Sequence, residues 1–150
     1  MGRGSRGGKR GTATPNKVVE YSIGGKGGTI VNVSKTPSDK AMLVEKYIQE
    51  DYYNINVSMP KFQGTEKQIN YANDLAKKQI YNLTELFNER FNRMIRVKGY
   101  EDFKQLASKT FGKSINSKNE ALYLTLKKDK NIKFLTEETS AKAIIEKFSR

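Results

Sequence analysis

The sequence contains no cysteine, no histidine and no tryptophan, and three of its 150 residues are proline. Without cysteine, the chain has no disulfide, thiolate nucleophile, zinc ribbon or iron–sulfur cluster. Without histidine, it lacks the most common general base, the Ser-His-Asp triad, histidine-containing zinc sites and a switch near physiological pH. An enzyme would have to use Asp, Glu, Lys or Tyr, so these absences favour a protein that acts by binding.

Long hydrophobic runs are also missing. No stretch approaches the roughly 18 consecutive apolar residues of a membrane span. The basic N-terminus leads into no apolar segment of the kind found in signal peptides. We therefore expect a protein that stays in the cytoplasm and does not associate with a membrane.

Positive charge, in contrast, is abundant. Lys and Arg number 28 and Asp and Glu 16, which gives a net charge of +12. Nucleic acid is the leading class of partner, because each Lys or Arg brought against a phosphate releases a condensed counterion. The alternative is that the excess charge keeps a small protein soluble, for which a net charge of about 2 to 8 already suffices.

Residues 1–17 are rich in glycine and basic side chains, and they contain too little apolar surface to offset the entropy of folding. We predict a disordered basic arm that orders on contact with a phosphate backbone or an acidic protein. A solubilising leader is the alternative. The basic residues of the arm are Arg3, Arg6, Lys9, Arg10 and Lys17.

Two β-prone runs at residues 18–23 and 29–33 flank the sequence Gly-Gly-Lys-Gly-Gly. This pattern predicts a β-hairpin with Lys26 at its tip, where the charge is free to contact phosphate. The loop lacks the G-x-x-x-x-G-K-[ST] spacing of a phosphate-binding loop and lies between apparent strands, so nucleotide binding is disfavoured.

A helix capped by Ser38 is predicted to run to about Tyr53, with Asp39 in its first turn. Residues 54–59 then alternate polar and apolar side chains, as a half-buried strand does, and Pro60 ends the pattern. The sequence therefore predicts a small ββαβ unit over residues 18–59.

The clearest helical pattern follows Pro60. Thr65 and Gln68 form a capping box, apolar residues recur at spacings of three and four up to Met94, and Gly99 is a credible terminator. A second box at Asn82 leaves open whether the run is one helix or two.

Three arginines, Arg90, Arg93 and Arg96, lie on or beside the polar face of this predicted helix, with Asn88 and Asn92 among them. Such a face suits phosphates or base edges. A simple solvated face is the common alternative. Tyr52, Tyr53 and Tyr81 are candidates for stacking on bases, although core packing explains most aromatic residues equally well.

Further helices are predicted around residues 100–111 and from Thr136 towards the C-terminus. Between them, the capping pattern Ser117 to Glu120 favours a helix, whereas the alternation of leucines and a possible turn at residues 129–131 favour a hairpin over residues 120–135. We prefer the helix. The densest basic cluster of the chain lies in this region and comprises Lys127, Lys128, Lys130 and Lys133.

Two segments carry a resemblance to known proteins. Residues 59–72 (Met-Pro-Lys-Phe-Gln-Gly-Thr-Glu-Lys-Gln-Ile-Asn-Tyr-Ala) and 139–146 (Thr-Ser-Ala-Lys-Ala-Ile-Ile-Glu) resemble a small helical module of phage, plasmid and integrative-element proteins of Gram-positive bacteria. The resemblance covers roughly residues 59–148, and the glycine-rich start is similar to leaders in such proteins. It implies a genomic setting and a bacterial host cytoplasm, but it transfers no catalytic residue.

Together these patterns predict an α+β protein with the basic arm at 1–17 and one domain at 18–150, made of the ββαβ part and a helical part from residue 60. We expect a non-enzymatic accessory protein of a phage or mobile element that binds nucleic acid or a host nucleoprotein without cofactor or metal. The alternative is an inhibitor of a host defence nuclease that binds protein or guide RNA.

An enzyme built on carboxylates is the third hypothesis, because Mg²⁺ and similar cations need only oxygen ligands. The close acidic pairs are residues 50–51, 101–102 and 137–138. Neighbouring residues on a helix point about 100° apart, and acids are favoured in a first helical turn for stability alone. Catalysis is therefore disfavoured.

Overall fold

The computed structural model describes residues 19–35 and 53–149. The predicted basic arm, with Arg3, Arg6, Lys9, Arg10 and Lys17, lies outside the described residues. So does nearly all of the helix predicted between residues 38 and 53.

Three strands form one sheet: β1 (Glu20–Gly24), β2 (Ile30–Lys35) and β3 (Tyr53–Ser58). Their order is β1-β3-β2, with β3 parallel to β1 and antiparallel to β2. The predicted hairpin is therefore wrong, because β3 separates the two strands that the glycine loop connects. The inward side chains of β3, Ile55 and Val57, are fully buried, as expected of a central strand. A five-residue loop easily spans the roughly 10 Å between two strands that flank a third.

The glycine loop is held against the end of β3. The Gly28 amide donates to the Met59 carbonyl (2.8 Å), and the Met59 amide donates to the Thr29 carbonyl (2.9 Å). Gly24 and Gly27 have nearly equal positive φ angles of 81° and 82°. A Cβ at Gly24 would collide with the Ser58 carbonyl oxygen, whereas a Cβ at Gly27 would meet open space.

This pair of glycines gives a matched test of the close approach. Both Gly24→Ala and Gly27→Ala place alanine in a left-handed backbone conformation, which destabilises the fold by about 1 kcal/mol in each case. Gly24→Ala must also displace β3, so we expect it to lower the free energy of unfolding by at least about 1 kcal/mol more than Gly27→Ala does. Urea denaturation of the two variants measures the difference, and equal losses would mean that the loop does not press against β3.

Five helices follow the sheet in the described part of the chain. They are α1 (Glu66–Lys98), α2 (Tyr100–Phe111), α3 (Lys118–Lys128), α4 (Lys130–Glu137) and α5 (Ala141–Phe148). The α+β class with a helical C-terminal half is thus confirmed, and residues 120–135 are helical, apart from Asp129 between α3 and α4.

Helix α1 is one continuous helix of 33 residues. Its start has the predicted capping box: the Gln68 amide donates to the Thr65 hydroxyl (3.1 Å), and the Thr65 amide donates to the Gln68 side chain (3.0 Å). The second predicted box does not interrupt the helix. Thr84 is buried, and its hydroxyl donates back to the Ile80 carbonyl (2.7 Å).

The core has two parts. The larger part packs the inner face of the sheet on α1, where Ala72, Ala76 and Ile80 are fully buried. The two alanines permit a close approach of the helix. The smaller part lies beyond it, where Phe103 of α2 packs with Ile95 at the end of α1. This second cluster fixes α2 and α3 against the arginine-bearing half of α1.

Candidate binding surface

The three predicted arginines of α1 are all exposed. At 100° and 1.5 Å per residue, Arg90, Arg93 and Arg96 cover about 120° of the helix circumference and about 9 Å of its length. Arg90 also lies against the Phe87 ring, with its guanidinium carbon 5.6 Å from the ring centroid. Together these residues form what we call the arginine face.

The two asparagines predicted to share this face do not belong to it. Asn88 and Asn92 are 5% and 8% exposed, so neither amide is available to read a base edge. The prediction failed because they lie on the border of the apolar face, where α3 covers them. The arginine face therefore presents charge without neighbouring asparagine amides.

The second predicted basic cluster lies at the corner between α3 and α4. Lys127, Lys128, Lys130 and Lys133 are all exposed there, and we call them the lysine corner. Asp129, the acid among them, caps α4: its Oδ1 accepts from the Asn131 amide (2.9 Å) and the Ile132 amide (3.1 Å). Its charge is thus directed at the helix backbone.

Ion pairing leaves most of this positive charge unneutralised. Among the described residues, two salt bridges occur: Lys104 with Glu101 (2.7 Å) and Lys113 with Glu120 (3.5 Å). Neither involves the arginine face, the lysine corner or Lys26. Within the part of the chain that the structure describes, every basic residue predicted to bind a partner therefore keeps its charge available.

The fold brings Arg90 and Lys128 to one place. Arg90 and Phe111 line the same cavity, and the Lys128 ammonium lies 5.3 Å from the centroid of the Phe111 ring. Lys26 lies elsewhere, because its glycine loop borders α1 near Asn73. That position is 17 residues, or about 25 Å of helix, from Arg90.

The cavity shared by Arg90 and Phe111 lies between α1, α2 and α3 and has a volume of about 160 Å³. Its wall is mostly apolar. The residues that form most of this wall are Phe87, Phe91, Met94, Phe103, Leu106 and Phe111. Leu106 is 42% exposed and marks the mouth together with Arg90. The apolar spacing of these residues predicts buried helix faces and gives no sign of an opening.

A buried lysine was also missed. Lys118 is fully buried, and its ammonium donates to Oδ1 of Asn88 and to Oδ1 of Asn92 (3.3 Å). The ammonium also lies 6.0 Å from the centroid of the Tyr53 ring. Lys118 thus connects the start of α3 to the C-terminal third of α1 and fixes the helix that carries Thr125 and Lys128. The signal in the sequence was the pair of asparagines four residues apart beside an apolar stripe.

Of the tyrosines considered for base stacking, Tyr53 is 6% exposed and cannot stack on a base. Tyr81 is 43% exposed and its hydroxyl donates to the Asn32 carbonyl (3.4 Å). Tyr52 lies outside the described residues. Burial raises the pKa of Tyr53 above its usual 10.0, with a smaller contribution from Glu85, and burial likewise raises the pKa of Tyr21.

These raised pKa values predict a loss of stability in alkali. A tyrosine whose pKa is higher in the folded state stabilises the fold below its unfolded pKa of about 10, and this contribution disappears as the pH rises through the folded value. We expect the urea midpoint to fall between pH 9 and pH 11, and Tyr53→Phe to reduce that fall. An identical fall in the variant would show that Tyr53 does not contribute to it.

Carboxylates do not gather into a metal centre in the described part of the chain: residues 19–35 and 53–149 hold no group of three or more acidic side chains placed to bind a metal ion. Glu101 is paired with Lys104. In the same residues, no helix is long and apolar enough to cross a membrane.

Comparison with known proteins adds no family: no protein-family model, no curated protein and no solved structure matches this chain.

Proposed function

We propose that this chain is a non-enzymatic accessory protein of a phage or other mobile element that binds nucleic acid, free or within a ribonucleoprotein. The observation that carries the proposal is the exposed and unneutralised charge of the arginine face and the lysine corner. Such charge binds phosphates through counterion release.

The composition of these surfaces indicates the kind of contact. Arginine and lysine at exposed positions suit phosphate oxygens, which position a protein without reading sequence. Asn88 and Asn92, the side chains best suited to adenine edges, are buried under α3. The proposed contact therefore follows the nucleic-acid backbone and has little sequence preference.

The two basic surfaces meet near one cavity, since Arg90 lines it and Lys128 lies over the ring of Phe111, which also lines it. A phosphate backbone that crosses this mouth would meet α1 on one side and the corner of α3 and α4 on the other. Arg93 and Arg96 extend the contact around α1. Lys26, at the far end of α1, is too distant to take part in the same short contact.

Co-purification tests the proposal against its alternative. The tagged full-length protein is recovered from a bacterial host in two portions, one treated with nuclease, and both protein and nucleic acid are analysed. Nucleic acid that is released by moderate salt is the expected result. A single stoichiometric host protein that survives both nuclease and salt would overturn the proposal and indicate an inhibitor of a host enzyme.

A further inference from the structure

The cavity between α1, α2 and α3 is large enough to hold one six-membered aromatic ring. Its volume is about 160 Å³, close to that of apolar cavities that bind benzene. Phe103 and Ala107 are buried at its floor, while Arg90, Leu106 and Thr110 are exposed at its mouth. A ring can therefore enter from solvent without unfolding a helix.

The interior offers few hydrogen bonds to a ligand. The two hydroxyls that line it are Thr110 and Thr125. The Thr110 hydroxyl donates to the Leu106 carbonyl (2.9 Å), and the Thr125 hydroxyl donates to the Ala121 carbonyl (2.8 Å). A nucleobase in this cavity would bury its polar edge with few partners, which is unfavourable. The wall suits a hydrocarbon ring such as that of phenylalanine.

The positive charge around the mouth favours acidic residues on either side of an inserted aromatic side chain. Arg90 borders it from α1, Lys128 lies over Phe111, and Lys109 lines the adjoining depression beyond Leu106. Asp102 is the acid in that depression, so positive charge prevails. Carboxylates on either side of an inserted ring would face these cations.

We propose that the cavity receives one aromatic side chain of an acidic protein segment, with the ring between Phe91 and Phe111 and the flanking carboxylates facing Arg90 and Lys128. This is a protein-binding site in addition to the proposed nucleic-acid surface. The two proposed surfaces share Arg90 and Lys128, whereas Arg93 and Arg96, at 100° per residue, lie on a part of α1 that faces away from the cavity. An acidic segment at this mouth would therefore compete with nucleic acid for Arg90 and Lys128.

The probe is the peptide acetyl-Glu-Glu-Phe-Glu-Glu-amide, titrated into the ¹⁵N-labelled full chain and followed by amide shifts. The expected result is saturable shifts concentrated at Thr110, Thr125 and their neighbours. A peptide with Ala in place of Phe should give no saturation at the same concentrations. Equal shifts with both peptides, or none with either, would overturn the proposal.

Three variants separate the contribution of the ring from that of the charge. Arg90→Gln should weaken binding of the peptide about two- to fivefold, whereas Arg93→Gln, a matched change on the same helix, should leave it unchanged. Ala107→Phe fills the cavity and should abolish the saturable shifts. If Ala107→Phe does not fold, the comparison of Arg90→Gln with Arg93→Gln decides: equal affinities would contradict the proposed orientation.

A single-stranded oligonucleotide provides the competing occupant. If it, and not the phenylalanine peptide, shifts Thr110 and Thr125, then the cavity takes a base and the proposal is wrong. Nucleic-acid binding through Arg93 and Arg96 could fail while the peptide still binds, so this experiment and the test of the proposed function give separate answers.

Discussion

Replacing Lys118 by methionine is expected to lower the free energy of unfolding by roughly 2–5 kcal/mol. Methionine fills much of the space of the lysine stem, but it donates nothing to the Asn88 and Asn92 oxygens that now receive hydrogen bonds from the ammonium. Both amide oxygens would then be buried without that donor. Urea denaturation measures the loss, and Lys77→Met, at an exposed position of α1, is the matched control.

A compensated variant sharpens this test. Lys118→Met combined with Asn88→Leu and Asn92→Leu replaces all three of these buried polar side chains, and apolar replacements of similar volume are often neutral or stabilising. We expect the triple variant to recover much of the stability lost by the single one. If the triple variant were as unstable as Lys118→Met, the loss would come from the lysine stem or its other contacts, and not from the missing hydrogen bonds to the oxygens of Asn88 and Asn92.

The second large effect concerns binding. Reversing two charges of the arginine face with Arg93→Glu and Arg96→Glu should weaken nucleic-acid binding on all sequences alike. The log–log dependence of affinity on salt should become shallower by about 2, because two phosphate contacts are lost. Fluorescence anisotropy with a labelled 20-nucleotide RNA and a matched DNA duplex measures both quantities.

Two controls accompany the charge reversal. Lys142→Glu changes an exposed lysine of α5, close to the bridge between Ser140 and Gln63 that precedes α1. This single reversal should have a smaller effect than Arg93→Glu or Arg96→Glu alone. The circular dichroism spectrum of the double variant should match that of the parent. If Lys142→Glu lowered the nucleic-acid affinity as much as Arg93→Glu or Arg96→Glu alone, net charge alone would govern binding.

Local patterns in the sequence predicted most of the helical half. The spacing of three and four along α1 and the box at Thr65 depend on residues that are close in sequence, and the structure confirms both. The alternation of residues 54–59 likewise predicted β3. Such signals are readable because the physics of a helix cap or a half-buried strand is local.

The errors came from contacts between distant residues. Nothing in the two strands around the glycine loop shows that β3 inserts between them, since the residues that pair with them lie between 18 and 34 positions away in the sequence. Lys118 reaches Asn88 across 30 residues, and lysine is very rarely buried. The same contact removed Asn88 and Asn92 from the predicted binding face. The exposed basic residues were easier to predict, because solvent exposure is the usual state of Lys and Arg.

The cavity depends both on local sequence patterns and on contacts between distant residues. Its phenylalanines have the spacing of ordinary core residues, and the sequence predicts them to be buried. That they leave a space open to solvent depends on how α2 turns at Gly99 and packs beside α3. Neither the turn angle nor the remaining volume can be read from apolar periodicity.

The most direct test of nucleic-acid binding is the affinity of the unmodified full chain for the labelled RNA and duplex between 50 and 200 mM salt. We expect binding to both, with an affinity that falls steeply as salt rises and with a log–log slope of about −0.7 to −0.9 per phosphate contacted. Absence of binding at 50 mM salt, or an affinity that does not change across this range, would contradict this expectation.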